Sequence, residues 1–263
     1  MLSPSDETTS PPGPTVPPLR FVVVLSIVLL ALYQAGAFLV LAGFDRPRLA
    51  LFLAGPVFLL APLVAMLRRA GLPLRETLRL HGAPGPSLVL GSAALLAWLP
   101  AVLVLAERLV EVPEPLEEFF GELLRVRSGG ELVFVLAAAA LAPAITEEIF
   151  FRGFLQGSLE ARFGRWGGIL VTAAAFGLTH GPARAPTATL LGILLGWLAA
   201  RSGSVWPSVA AHAAVNTAAV ALVNAEMKEG AEAATDAASW SMAIAGAALG
   251  LLFLRSFHRS LRS

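Results

Sequence analysis

Residues 132–152 read LVFVLAAAALAPAITEEIFFR, an apolar run that contains two adjacent glutamates and, soon after them, an arginine. A helix that crosses a membrane needs about 20 mostly apolar residues, and this stretch meets that length. A charged side chain at the centre of such a helix costs roughly 2.5–3.5 kcal/mol on insertion scales. Glu147 and Glu148 therefore need compensating partners, and we interpret the stretch as a transmembrane helix that carries part of a functional site.

The composition of the whole chain indicates that this helix is one of several. Of its 263 residues, 56% are hydrophobic and 14% are charged, whereas about 25% of the residues of a soluble domain are charged. The sequence predicts an all-α polytopic membrane protein that contacts the lipid bilayer. We count about eight transmembrane helices, over residues 21–43, 49–67, 87–106, 132–160, 166–182, 186–200, 205–224 and 238–254. The net charge of +1 predicts no binding to nucleic acid, and the absence of cysteine excludes a thiol nucleophile.

The remaining segments suggest how the chain is organised around these helices. Residues 1–19 are rich in Ser, Thr and Pro, which predicts a disordered tail before a membrane domain over residues 20–263. Outside the spans, eleven basic residues fall on the tail's side of the membrane and seven on the other side. The positive-inside rule then places both termini in the cytoplasm. The linker over 107–130 contains an amphipathic helix that either lies on the outer membrane interface or packs as a loop helix. The glycine pairs Gly192/Gly196 and Gly246/Gly250 predict close helix packing.

Three short polar patterns lie on three separate apolar segments, and in each of them two residues stand four positions apart. The pairs are Glu148 and Arg152, Phe176 and His180, and His212 and Asn216. Residues four apart share one face of a helix, so Glu148 and Arg152 are expected to form an ion pair. A rise of 1.5 Å per residue places the three patterns at compatible depths near the middle of the membrane. We therefore expect them to meet in one site.

The residue types in this site fit hydrolysis of a peptide bond. Glu147 is our candidate for the general base that activates a water molecule, because a carboxylate in an apolar site becomes more basic. His180 would share that water or pass its proton on. His212 and Asn216 can both donate hydrogen bonds to a developing oxyanion. Glu148 would be a second acidic residue of the site.

Two further residues are expected to support this site. Arg152 would keep Glu148 ionised and hold it in place. Phe176, on the face that also carries His180, is the second supporting residue.

At these residues the chain resembles the CAAX-protease and bacteriocin-processing family of intramembrane endopeptidases, also called the abortive-infection family. Its motifs Glu-Glu-x-x-x-Arg, Phe-x-x-x-His and His-x-x-x-Asn occur here in order, and the likeness covers about residues 130–225, the expected catalytic core. The resemblance implies an eight-helix fold related to the eukaryotic endopeptidase that trims prenylated CAAX proteins. It also implies that Glu147 and His180 activate water, and that His212 and Asn216 form the oxyanion site.

The cofactor and the kind of function each leave an alternative. A mechanism without metal is favoured, because the chain lacks the His-Glu-x-x-His pattern, but Glu147, His180 and His212 are a possible set of zinc ligands. A non-catalytic membrane scaffold for bacteriocin self-immunity or secretion is the alternative to an enzyme, followed by a proton-coupled transporter. Lys228 is the only lysine, and this arginine-rich usage fits a GC-rich bacterial genome. We therefore expect a bacterial inner-membrane protein with membrane-anchored proteins or peptides as substrates.

Overall fold

The structure, a computed structural model, describes residues 16–44, 46–229 and 236–262, and in these ranges the regular elements are all helices. They are α1 (Leu19–Phe44), α2 (Pro47–Arg69), α3 (Leu74–Thr77), α4 (Gly85–Glu107), α5 (Glu114–Leu124), α6 (129–163), α7 (165–178), α8 (Ala185–Ser202), α9 (Trp206–Glu229) and α10 (Asp236–Ser260). The predicted tail over residues 1–19 lies outside the described residues, apart from its last four positions. The all-α architecture of a polytopic membrane protein is confirmed.

Each of the eight predicted membrane segments is helical over most of its length in the structure. Among the described residues, six helices are long and apolar enough to cross a membrane. One of the six is the continuous stretch Gly129–Leu178, which contains two predicted spans. It bends at Gly164, where φ is 73° and ψ is 170°, a backbone conformation that glycine adopts readily. This bend separates α6 from α7. The helix α8, which corresponds to the predicted span over 186–200, is not among the six helices that are long and apolar enough to cross a membrane.

The predicted helix over 166–182 is wrong at its C-terminal end. The α-helix ends at Leu178, and the His180 backbone N–H donates to the Gly177 carbonyl in a tighter turn. Gly181 then adopts a φ of 76°, and Pro182 follows it. A positive φ followed by proline cannot continue a helix. His180 therefore lies in the turn between α7 and α8 and not inside a helix.

Two clusters of buried apolar side chains hold the helices together. The first joins α1, α2 and α6 around Phe150, Phe151 and Phe154, and the second joins α4, α8, α9 and α10 around Leu95, Leu198 and Phe257. Outside these clusters, large apolar side chains such as Ile27 and Leu252 remain more than half exposed. Apolar surface of this kind matches the lipid contact expected of membrane helices.

Widened turns of the π type interrupt α2 and α6 near the glutamates. They cover Ala54–Leu60 in α2 and Leu136–Leu141 and Ile149–Gln156 in α6, so Glu147 and Glu148 lie between the two turns of α6. Such turns are frequent at functional sites. Gly55 in the α2 turn lies directly against Thr146, since a Cβ atom on Gly55 would be 2.3 Å from the Thr146 hydroxyl. The absence of a side chain at Gly55 thus lets α2 approach α6 beside the two glutamates.

The predicted small-residue contacts are present. A Cβ atom on Gly192 would lie 3.2 Å from Ala173 in α7, and one on Gly196 would lie 2.8 Å from the Gln156 side chain in α6. A Cβ atom on Gly246 would lie 2.3 Å from the Ala97 carbonyl of α4. Close packing at these glycines is therefore confirmed.

The short helix α5 packs against the bundle. Arg48, at the start of α2, donates to the carbonyls of Glu122 and Leu123 at 3.1 and 2.9 Å, near the C-terminal end of α5. The Asn224 side chain of α9 donates to the Leu124 carbonyl at 3.0 Å and accepts from the Val126 N–H at 2.8 Å. These contacts favour the loop-helix interpretation of the 107–130 linker.

Candidate active site

The three polar patterns meet around the ring of Phe176. The His180 ring lies 4.5 Å from it between centroids, and the His212 ring lies 5.8 Å away in an edge-to-face arrangement. The Arg152 guanidinium carbon is 4.5 Å from the same centroid, a distance typical of a cation–π contact. Phe176 thus joins side chains from α6, from α9 and from the turn after α7. The sequence predicted a supporting role for Phe176, and the structure places it at the centre of the three patterns.

Glu148 and its partner Arg152 are fully enclosed charged residues. The Glu148 side chain has no exposed surface. One carboxylate oxygen, Oε1, receives both of its contacts, and the buried Oε2 has no hydrogen-bond partner among the described residues. Arg152 Nη1 lies 3.2 Å from this oxygen, which confirms the predicted ion pair, and His212 Nδ1 lies 2.9 Å from it. Two cationic or proton-donating partners are what a buried carboxylate needs to remain charged. The contact between Glu148 and His212 is a link between α6 and α9 that the sequence did not indicate.

Arg152 is itself positioned by α8. Its Nη2 donates to the Gly192 carbonyl at 3.2 Å, and one turn later Gln156 Nε2 donates to the Gly196 carbonyl at 2.8 Å. Both side chains are fully buried. The two bonds repeat at a spacing of four residues on each helix, so they set the rotation of α6 relative to α8. The glycine pair therefore supplies acceptors as well as space.

Glu147 has different partners from its neighbour. Its Oε1 accepts a hydrogen bond of 2.8 Å from the phenol of Tyr33 in α1, whereas its buried Oε2 has no hydrogen-bond partner among the described residues. No direct hydrogen bond joins Glu147 to His180 in this part of the chain. Sequence reasoning missed Tyr33. A signal existed, because Tyr33 is the only tyrosine of the chain and lies in its first apolar span.

The surroundings of His180 determine which of its ring nitrogens is available. Nδ1 lies 2.7 Å from the Phe176 carbonyl oxygen, an acceptor, so the proton is assigned to Nδ1. Nε2 then carries the lone pair and can accept a proton. The turn itself is held to α1 by Gln34, whose side chain donates to the Thr179 carbonyl at 2.9 Å.

His212 is buried, and Asn216 lies one turn further along α9, partly exposed. Since Nδ1 of His212 faces the Glu148 carboxylate, Nε2 is the nitrogen left for any other partner. The structure therefore brings Glu148, Arg152 and His212 into direct contact. It places Asn216 on the same helix as His212 without a hydrogen bond to the other site residues in the described part of the chain.

The helix α5 covers the turn that contains His180. The Arg184 guanidinium, at the end of that turn, lies over the ring of Phe120 with 3.4 Å between the guanidinium carbon and the ring centroid. Burial lowers the pKa of Arg184, and the nearby Glu117 carboxylate opposes this shift. A charged side chain enclosed in this way holds α5 against the turn.

The zinc-ligand set suggested by the sequence does not fit this geometry. No group of three His, Cys, Asp or Glu side chains in the described ranges is arranged to hold a metal ion. Glu147 bonds to Tyr33, and the Nδ1 of His212 faces Glu148. Glu147, His180 and His212 are therefore not gathered around a common point.

Comparison with known proteins gives one family match. The sequence model of a family described as "Type II CAAX prenyl endopeptidase Rce1-like" matches residues 129–218. No curated protein and no solved structure matches the chain. The matched region begins with α6 and ends in α9, so it contains all three polar patterns and excludes Tyr33.

Proposed function

We propose, on the premise that residues 129–218 form a domain of the type II CAAX prenyl endopeptidase Rce1-like family, that the protein is an intramembrane endopeptidase. One observation carries the proposal. The two adjacent glutamates are both buried, and each keeps Oε2 without a hydrogen-bond partner among the described residues. Their Oε1 atoms differ: that of Glu148 is held by Arg152 and His212, whereas that of Glu147 meets only the neutral phenol of Tyr33. A purely structural pair of carboxylates would be fully satisfied on both residues. The unequal pairing instead suits one fixed residue and one reactive residue.

Glu147 and His180 would activate the attacking water. Glu147 Oε2 accepts a proton from the water molecule while the water oxygen attacks the carbonyl carbon of the scissile bond. His180, with its lone pair on Nε2, hydrogen bonds to the same water or accepts the proton in turn. As the tetrahedral intermediate collapses, the C–N bond breaks and the proton passes to the leaving amine. These roles need no direct hydrogen bond between Glu147 and His180, because the water molecule would lie between the two side chains.

His212 and Asn216 would stabilise the negative charge that develops on the carbonyl oxygen. A donor at this position contributes about 3 kcal/mol to transition-state stabilisation. For His212 to donate from Nε2 while Nδ1 donates to Glu148, the ring must carry both protons. The Glu148 carboxylate balances that positive charge, and Arg152 keeps Glu148 in place. Glu148 thus acts through His212.

Tyr33 would be a positioning residue for Glu147. Its hydrogen bond to Oε1 fixes the carboxylate and directs Oε2 toward the reacting water. The phenol comes from α1, which lies outside the family match. The first helix would therefore complete a site whose other residues lie in the matched domain.

The substrates would be membrane-anchored proteins or peptides, since the reacting groups lie among membrane helices. We place the protein in a bacterial inner membrane with both termini in the cytoplasm. The arginine distribution supports this orientation. We favour a reaction without metal, which the arrangement of Glu147, His180 and His212 supports.

A comparison of membranes tests the enzyme function directly. Cells that produce the wild-type protein are compared by proteomics with cells that produce Glu147→Gln, and uncut membrane proteins are expected to accumulate with the variant. Glu118→Gln, a change of the same kind at an exposed position of α5, is the matched control and should behave as the wild type. A purified substrate is then incubated with protein in proteoliposomes. Full function of Glu147→Gln and His180→Ala would contradict the proposal and favour the non-catalytic scaffold.

A further inference from the structure

A groove lies at the far end of the bundle from His180, between the start of α7 and the C-terminal ends of α8 and α10. Its volume is about 470 Å³. His180 follows the opposite end of α7, roughly 20 Å away at 1.5 Å per residue. The groove is therefore separate from the candidate active site, and the proposed hydrolysis makes no use of it.

Positive charge gathers around this groove without a carboxylate to balance it. Arg165, Arg201 and Arg255 line it together with His258. In the described part of the chain, none of these arginines forms a salt bridge with Asp or Glu. Cationic side chains that converge without a balancing anion favour an anionic ligand.

A second cluster of contacts increases this concentration of charge. Arg201 hydrogen bonds to the His258 ring, and Arg262 Nη2 lies 3.1 Å from its Nε2. Two guanidinium groups thus share one imidazole at the edge of the groove. Arg201 Nε is buried and has no hydrogen-bond partner among the described residues. The fold holds these charges together although they repel one another, and a bound anion would relieve that repulsion.

The other walls of the groove are aromatic and apolar. Trp166 is 56% exposed, and Trp197, Leu251 and Leu254 complete the lining. The exposed apolar surface continues along the membrane face of α10 through Leu252. Tryptophan is enriched at the membrane interface, and leucine suits contact with acyl chains. The groove therefore offers cationic groups for a headgroup and an adjoining apolar face for its chains.

We propose that this groove binds the headgroup of an anionic phospholipid. The arginines contact the phosphate, Trp166 and Trp197 lie at the level of the glycerol backbone, and the acyl chains follow the apolar face of α10. Basic pockets between transmembrane helices on the cytoplasmic side are suited to such headgroups. A free phosphate ion would use the same arginines but would gain nothing from the apolar wall.

The test measures lipid binding to the purified full-length protein. Phosphatidylglycerol and phosphatidylcholine with identical acyl chains are titrated into the protein in detergent, and bound lipid is counted by native mass spectrometry. We expect the wild type to prefer phosphatidylglycerol. Arg165→Gln/Arg255→Gln changes two exposed residues, so the fold should be retained. Each arginine near an anionic headgroup raises the affinity about fivefold. The affinity of this variant for phosphatidylglycerol should therefore fall about 25-fold, while its affinity for phosphatidylcholine should change little.

Two controls separate the groove from general surface charge and from phosphate binding. Arg68→Gln/Arg69→Gln removes two exposed charges at the end of α2 and should leave the preference unchanged. Inorganic phosphate in excess should not displace phosphatidylglycerol. An equal loss in both double variants, or displacement by inorganic phosphate, would overturn the proposal. A photoactivatable phosphatidylglycerol should also label residues 251–258, and labelling only elsewhere would overturn the placement.

Discussion

Replacement of Tyr33 by phenylalanine removes a single hydroxyl group from the candidate site. The lost bond is the 2.8 Å contact to Glu147 Oε1, and it leaves that carboxylate without a hydrogen-bond donor among the described residues. A hydrogen bond to a charged group contributes about 1.5–3 kcal/mol. If the bond acts on the reactive carboxylate, its loss should lower kcat by about 10- to 150-fold. KM should change little, because Tyr33 fixes the base and does not contact the substrate.

The assay measures peptide cleavage in proteoliposomes over a range of substrate concentrations, so that kcat and KM are obtained separately. Ser26→Ala is the matched control, since it removes a buried hydroxyl of α1 that has no hydrogen-bond partner among the described residues. An unchanged kcat in Tyr33→Phe, or a loss that appears only as a raised KM, would refute the positioning role. A loss of kcat in both variants would indicate instead that α1 tolerates no change.

Three other predictions concern stability and metal dependence. Gly55→Ala places a Cβ atom 2.3 Å from the Thr146 hydroxyl and should destabilise the protein by about 1–3 kcal/mol in denaturant unfolding in detergent, whereas Gly43→Ala, with no atom within 4 Å, should not. Arg152→Gln leaves Glu148 buried without its guanidinium and should cost about 3–5 kcal/mol in the same measurement; a wild-type unfolding midpoint would contradict the ion pair. Removal of metal by a chelator should leave cleavage unchanged, and stoichiometric zinc in active protein would contradict this.

Much of the helical architecture was predictable because lipid imposes a strict rule on a chain. Backbone groups in a bilayer must be hydrogen bonded within the segment, so a long apolar run predicts a helix. The ion pair between Glu148 and Arg152 was predictable for a related reason, since both residues lie on one helix four positions apart. The end of α7 was less predictable. The apolar character of residues 176–179 extends the predicted span, whereas the backbone conformation of Gly181 ends the helix earlier.

Contacts between helices were beyond the sequence pattern because they depend on how each helix is rotated and which helices are neighbours. The hydrogen bond between Tyr33 and Glu147 joins residues 114 positions apart, and the contact between Glu148 and His212 spans 64 positions. No local periodicity encodes such a pair.

The sequence by itself determined that the chain forms membrane helices, and that Glu147, Glu148 and His212 are polar residues that such helices tolerate only with compensating partners. The energetic cost of polar groups in lipid is a property of each segment alone, which is why it can be read from one sequence. Only the tertiary structure decided that the two glutamates differ. Glu148 faces α9 and bonds to His212, while Glu147 faces α1 and bonds to Tyr33. Adjacent residues of a helix point about 100° apart, so the packing of the neighbouring helices assigns each carboxylate its partner.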